Sequence, residues 1–214
     1  MRRTFALAAL FALLAGTGLA QEKRPLSPSG SAAAQVLGKW VKSDKPTYAL
    51  GNASYQGGKW IEVTYGRPLK RGRDLWGSGA NYGKDALLDT PIWRAGANVT
   101  TRLKSEVPLR LGGKTVPAGE YSLFIDLKQG AWTLVVSSWP AQQTYDPNNK
   151  DALWGSYGYT PDRDVVRVPM KLETLPHSVE QLTWAFVDMT DTGGSLAIAW
   201  DKTIASVPFE AVAP

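Results

Sequence analysis

Cysteine is absent from all 214 residues, and histidine occurs once, at position 177. The missing thiols exclude a disulfide framework, a thiolate nucleophile and a lipid anchor on an N-terminal cysteine. Zinc and copper centres draw on several Cys and His ligands. The sequence therefore offers no metal site of that kind, and it contains no motif for an organic cofactor. Past the N-terminus no apolar run approaches the roughly 18 residues that a spanning helix needs. No long stretch carries apolar residues at the helical period either. What the chain has is aromatic bulk: nine tryptophans, eight tyrosines and five phenylalanines. Each such side chain buries a large area, so a core can form without cross-links.

The N-terminus reads as an address. Arg2 and Arg3 precede an apolar run over residues 5–14, and Gly18-Leu19-Ala20 places small residues where a signal peptidase cuts. Cleavage after Ala20 is expected, giving an exported protein, periplasmic or secreted, with no membrane span once the signal is removed. Losing Arg2 and Arg3 takes the formal charge from +5 to +3, too little for a nucleic-acid footprint. Residues 21–46, rich in Pro, Ser, Gly and Ala, read as a flexible leader, with Val36, Leu37 and Trp40 able to add one edge strand. Residues 48–58 read as loop. The folded domain is expected over residues 47–210.

From Lys59 onward the period is two. Ile61, Val63 and Tyr65 alternate with Trp60, Glu62 and Thr64. The pattern returns around Leu103, Leu109, Leu123, Leu134, Val168, Trp184, Ile198 and Val207, as a half-buried antiparallel sheet requires. Gly112-Gly113, Gln129-Gly130 and Gly193-Gly194 mark tight turns in which glycine supplies positive φ. Pro108, Pro169 and Pro208 cannot donate ladder bonds and are expected at edges or bulges. Residues 178–181 resemble a capping box, allowing one helical turn. The fold class is all-β, an antiparallel β-sandwich or jelly-roll-like single domain. Two long connections, residues 69–91 and 138–162, interrupt it, and their aromatic content argues for order.

Five ordered blocks carry a family resemblance. They are Glu62-Val63-Thr64-Tyr65-Gly66-Arg67-Pro68, Lys70-Arg71-Gly72-Arg73, Trp93-Arg94-Ala95-Gly96-Ala97-Asn98, Gly112-Gly113-Lys114 leading to Pro117-Ala118-Gly119-Glu120-Tyr121, and Trp154-Gly155. Together they resemble the DUF2911 family over residues 59–209. The resemblance implies a bacterial, exported β domain and carries over no catalytic residue. Residues 39–56 read as an insertion relative to the family pattern.

Several motifs point to chemistry without completing it. Gly113-Lys114-Thr115 imitates the end of a P-loop, but proline stands at 108 and no helix follows. Asp146-Pro147-Asn148-Asn149 opens like a calcium loop, but Lys150 occupies the position of a third oxygen ligand. There is no G-x-S-x-G elbow. Three constellations remain. Tyr65, Arg67, Trp93, Arg94 and Asn98 place planar cationic donors among aromatics, suited to a carboxylate, phosphate or sulfate; the competing reading pairs Arg67 and Arg94 with Glu62, Asp74 or Asp89. Lys70, Arg71 and Arg73 form a solvated loop or an anion-contacting lip. Trp139, Tyr145, Trp154, Tyr157 and Tyr159 either offer faces for sugar rings or pack their loop onto the sheet. The reading is a non-enzymatic envelope binding domain for an anionic small molecule or a glycan. The alternatives are a hydrolase of an envelope polymer or small ester, using His177 or a pair among Glu62, Glu106, Glu120, Glu173 and Glu180, and a structural partner of another exported protein.

Overall fold

The structure is a computed structural model that describes residues 25–47 and 51–213; the expected signal, residues 1–20, lies outside them. Alternation at period two produces two antiparallel sheets. The first has six strands in the order β1 (Ser29–Val36), β4 (Lys59–Gly66), β5 (Thr101–Ser105), β8 (Gly119–Asp126), β9 (Thr133–Ser137) and β10 (Asp164–Pro169). The second has four, in the order β11 (Lys171–Thr190), β12 (Gly193–Ala211), β6 (Leu109–Leu111) and β7 (Lys114–Val116). Their inner faces share one core. Ile61, Val63, Leu103, Leu123, Leu134 and Val166 of the first sheet meet Leu182, Trp184, Ile198, Val207 and Phe209 of the second. The domain is an all-β sandwich, as the alternation predicts. One four-residue helical turn, α1 (Lys84–Leu87), sits in the first long connection.

Three local expectations are corrected. From Ser29 on, the stretch read as a flexible leader is mostly paired strand. Gly30, Ala32, Ala34 and Val36 face Tyr65, Val63, Ile61 and Lys59, so β1 is an edge strand of the larger sheet. Alanine and glycine are poor strand formers, but here they lie flat against a strong neighbour, which overrides local propensity. Beyond Val36 the register continues: Lys39 faces Gln56 and Trp40 faces Tyr55, forming a second ladder of β2 (Lys39–Thr47) and β3 (Gly51–Gln56). Most of the segment read as loop is therefore strand, while residues 48–50 lie outside the described chain. Residues 178–181 belong to β11, where the register slips between Thr174, Val179 and Thr183; no helical turn forms there.

The punctuation follows physical rules. Gly112 and Gly113 both have positive φ, at 54° and 79°, in the β6–β7 turn that the P-loop look-alike occupies. Gly193 and Gly194 serve a different need: a Cβ on Gly193 would lie 2.4 Å from the Phe209 carbonyl oxygen, and one on Gly194 would lie 2.4 Å from Met189 Sδ. Pro169 ends edge strand β10. Pro208 falls where β12 changes partner, since pairing with β11 runs to Ser206 and pairing with β6 starts at Phe209.

Both long connections are ordered. The first tucks Leu75 and Trp76 against the core, where Trp76, Trp93, Trp132 and Trp200 form one cluster with ring centroids 4.7–6.1 Å apart. The second lies over the outer face of the larger sheet, where Phe124 and Val135 point away from the main core. Leu153, Tyr159 and Ile92 cover them and make a second, small core. That patch is the foundation of the candidate site.

Candidate functional site

Three features fix the loop of residues 138–163 in place. Gln142 is buried and saturated: its amide donates to the carbonyls of Asn149 (3.1 Å) and Ala152 (2.9 Å), and its Oε1 accepts from the Asp146 amide (2.8 Å). Buried Thr100 donates toward the carbonyls of Leu153 (2.9 Å) and Gly155 (2.8 Å). Ser122 holds the Trp139 carbonyl at 2.6 Å. The tip is closed by short-range turns. Asp146 Oδ1 accepts from the Asn148 amide (2.9 Å), and Asn149 Oδ1 accepts from the amides of Asp151 and Ala152 (3.0 and 3.2 Å). The Asp146 and Asn149 side chains of the calcium-like sequence are thus engaged with their own backbone, as Asx turns require.

The loop encloses a cleft of about 490 Å³, within the range of small-ligand sites. Tyr145, Trp154 and Tyr157 line it with their rings, and Asp146, Asn149 and Lys150 supply polar groups. Tyr145 and Tyr157 are 58% and 55% exposed despite the ordered backbone, and the Tyr145 ring tilts against Trp154 at 5.7 Å. Gln142 also borders a second trough of about 420 Å³ on the outer face of the sheet, lined by Ser31, Glu62, Thr64 and Arg102. The cleft and the trough adjoin at that residue.

The structure divides the aromatic set in two. Tyr145, Trp154 and Tyr157 meet at the cleft. Trp139 lies under the Arg163 guanidinium at 3.9 Å and donates its indole N–H to the Thr160 carbonyl. Tyr159 packs on Phe124 and donates its hydroxyl to Asp164. Those two rings attach the loop to the sheet.

The arginine set also disperses. Tyr65 is buried in the main core, where its hydroxyl accepts from the Trp184 amide at 3.0 Å. Trp93 stacks on Trp200 inside the tryptophan cluster. Arg67 runs along β1, where its Cδ occupies the space a Cβ on Gly30 would need. Arg94 turns the other way, against Gly155, whose φ is +63° and whose missing Cβ leaves room for the arginine Cδ. Burial holds the Arg94 guanidinium below its ordinary value, with Tyr157 acting in the opposite direction. Exposed Asn98, with its carbonyl beside Gly155, completes this corner. Among the described residues neither Arg67 nor Arg94 forms an ion pair, and the Nε of each is buried without a hydrogen-bond partner. The pairing with Glu62, Asp74 or Asp89 is not what holds them.

The basic cluster in the first loop is partly consumed by structure. Lys70 pairs with Asp201 at 2.9 Å, and Arg73 donates to the carbonyls of Lys70 and Leu69 while lying over Trp200. Four of the five candidate carboxylates are similarly occupied, while Glu62 lines the trough. Glu106 accepts from the Trp60 amide, Glu120 pairs with Arg102, Glu173 with Lys171, and Glu180 accepts from the Arg71 amide. His177 is exposed on β11.

Sequence reasoning finds the cleft's rings because aromatics gathered in one long connection are conspicuous. It misses Gln142, since one glutamine in a polar loop carries no pattern. Only the fold shows it as the post around which the loop is wound.

No curated protein and no solved structure matches this chain. The model of the family described as "Protein of unknown function (DUF2911)" matches residues 50–209. That span holds β3, the sandwich from β4 as far as Phe209 in β12 and every residue of the cleft, and the chain belongs to the DUF2911 family.

Proposed function

We propose that the protein is a non-enzymatic binding domain and that its ligand is a carbohydrate chain seated in the cleft of Tyr145, Trp154 and Tyr157. One observation carries this reading: two tyrosines stand more than half exposed on a loop whose backbone is tied down at Gln142 and Thr100. Large rings that add little to the core, held rigid, present area at low entropic cost to a ligand. A sugar ring offers an apolar C–H face to such rings and hydroxyls to groups like Asp146, Asn149 and Lys150 around them. The adjoining polar trough favours a ligand of several units over a single sugar. The N-terminal export pattern makes envelope glycans the nearest source.

The test is thermal unfolding of the purified protein with neutral and acidic oligosaccharides of increasing length. Selective binding to the folded state raises the midpoint by mass action, through a stabilisation of about 2.7 kcal/mol at a hundredfold excess over Kd. Longer chains are expected to act at lower concentration than monosaccharides. Tyr157→Ala and Tyr145→Ala should each abolish the shift while leaving the unliganded midpoint near wild type, because both rings are largely exposed. No shift across the panel, or shifts that survive both substitutions, would overturn the reading.

A further inference from the structure

The arm formed by β2 and β3 belongs to neither sheet; its two strands pair only with each other. A lone two-stranded hairpin is at best marginally stable in water, and this one exposes what a free hairpin normally avoids. Trp40 is 59% exposed and Val41 41%, and at the root of the arm Trp60 is 50% exposed. The Trp40 ring rests edge-on against Tyr55 at 5.4 Å, and the Tyr55 hydroxyl accepts from the Gly38 amide at 2.8 Å, so the exposed indole is held in place. Along the arm itself the charge is mainly of one sign. Lys39, Lys42 and Lys59 are exposed, and from position 39 to 60 the sequence has four lysines and one acid, Asp44, a balance of +3. At the root, Glu106 accepts from the Trp60 amide, and Glu62 and Lys104 lie beside the same ring.

We infer that this arm is a docking element for an anionic lipid surface. Lysine is depleted from protein–protein interface cores, where its ammonium would be desolvated. It is favoured beside tryptophan at a lipid headgroup layer, where the ring sits at the boundary and the ammonium meets phosphate. The arm has the second composition. Its attachment through a continuous register to edge strand β1 sets it apart from the cleft loop, so docking and ligand binding use different parts of the molecule. The inference does not depend on the carbohydrate reading.

Co-sedimentation of the full chain with unilamellar vesicles tests this, comparing pure phosphatidylcholine with an equal mixture of phosphatidylcholine and phosphatidylglycerol. The protein should pellet with the mixed vesicles, remain in solution with the neutral ones, and be released by high salt. The double variant Lys39→Glu with Lys42→Glu should partition about tenfold or more weakly, since each lysine near such a surface contributes about a fivefold preference. Trp40→Ala should also reduce binding, with an unchanged far-UV spectrum in both cases. Comparing variants within one chain cancels whatever the apolar N-terminal run contributes. Equal pelleting of wild type and both variants would overturn the inference. So would failure to pellet with the mixed vesicles, or a wild-type dimer that Trp40→Ala converts to monomer, which would make the arm a self-association element.

Discussion

Gly66 ends β4 with no space for a side chain: a Cβ there would lie 2.0 Å from the backbone oxygen of Ala97. Backbone cannot step aside as a side-chain tip can. Gly66→Ala should therefore lower stability by about 2–3 kcal/mol or prevent folding, read from the urea midpoint. Gly30 presents the contrast. Its added Cβ would meet the Arg67 Cδ at 2.1 Å, but that side chain can rotate away, so Gly30→Ala should cost less than Gly66→Ala. Equal costs would show that Arg67 is as fixed as backbone. At this scale the sequence is legible in residue type and blind in direction. Trp93 and Tyr65 are apolar bodies with a polar tip, and alternation cannot say whether such a ring fills a core or lines a site; both fill the core. Arg67 and Arg94 stand in one pattern in the sequence but lean on different glycines, Gly30 and Gly155, which spacing alone cannot reveal.

Edge strand β10 is fastened to the cleft loop by a small polar network. Tyr159 donates to Asp164, and Arg167 reaches Asp164 at 3.2 Å. Burial, reinforced by the hydrogen bond to Asp164, pushes the Tyr159 hydroxyl above its ordinary value of 10.0. Burial also raises Asp164 above 3.8, against the opposing pull of Tyr159 and Arg167. Both groups hold their protons more tightly when folded, so each contributes stability that falls as pH rises past its unfolded value. For Tyr159 the fall begins above about pH 10. Tyr159→Phe should cost about 1 kcal/mol at neutral pH through the lost hydrogen bond and flatten the decline above pH 10. Thermal midpoints measured from neutral to alkaline pH check both, and an unchanged alkaline slope in the variant would place the titration elsewhere. Strand β4 is plain in the sequence because it alternates against a buried core, and β8 and β9 because their apolar runs are buried on both faces. The strand β1 is not, because alanine and glycine pair well only once a neighbour is supplied. The β11 segment over residues 178–181 misleads for a related reason: its register slips there and the apolar alternation lapses.

At the scale of the whole molecule the sandwich carries two additions on its larger sheet, a loop sealed to the outer face and an arm extending the β1–β4 edge. They differ in how they are attached. The loop shares a buried core with Phe124 and Val135, so removing it would expose apolar sheet surface. The arm joins the sandwich at Leu37-Gly38 and Gly57-Gly58, and among the described residues Leu37 ties it further by its amide to the Asp191 carbonyl and its side chain against the core. The ladder on both sides of those turns is in one register, with Val36 opposite Lys59 and Lys39 opposite Gln56. The sheet should therefore close without the arm. A chain in which Val36 is joined to Lys59 through Asn-Gly, a pair suited to a two-residue hairpin, should unfold in a single cooperative transition. Its midpoint should lie within about 4 °C of wild type, the shift expected for losing about 1 kcal/mol in a domain this size. The shortened protein should keep whatever ligand binding the cleft has. A molten or aggregated product would mean that the arm is part of what holds β1 in the sheet, and that the sandwich and its appendage fold as one unit.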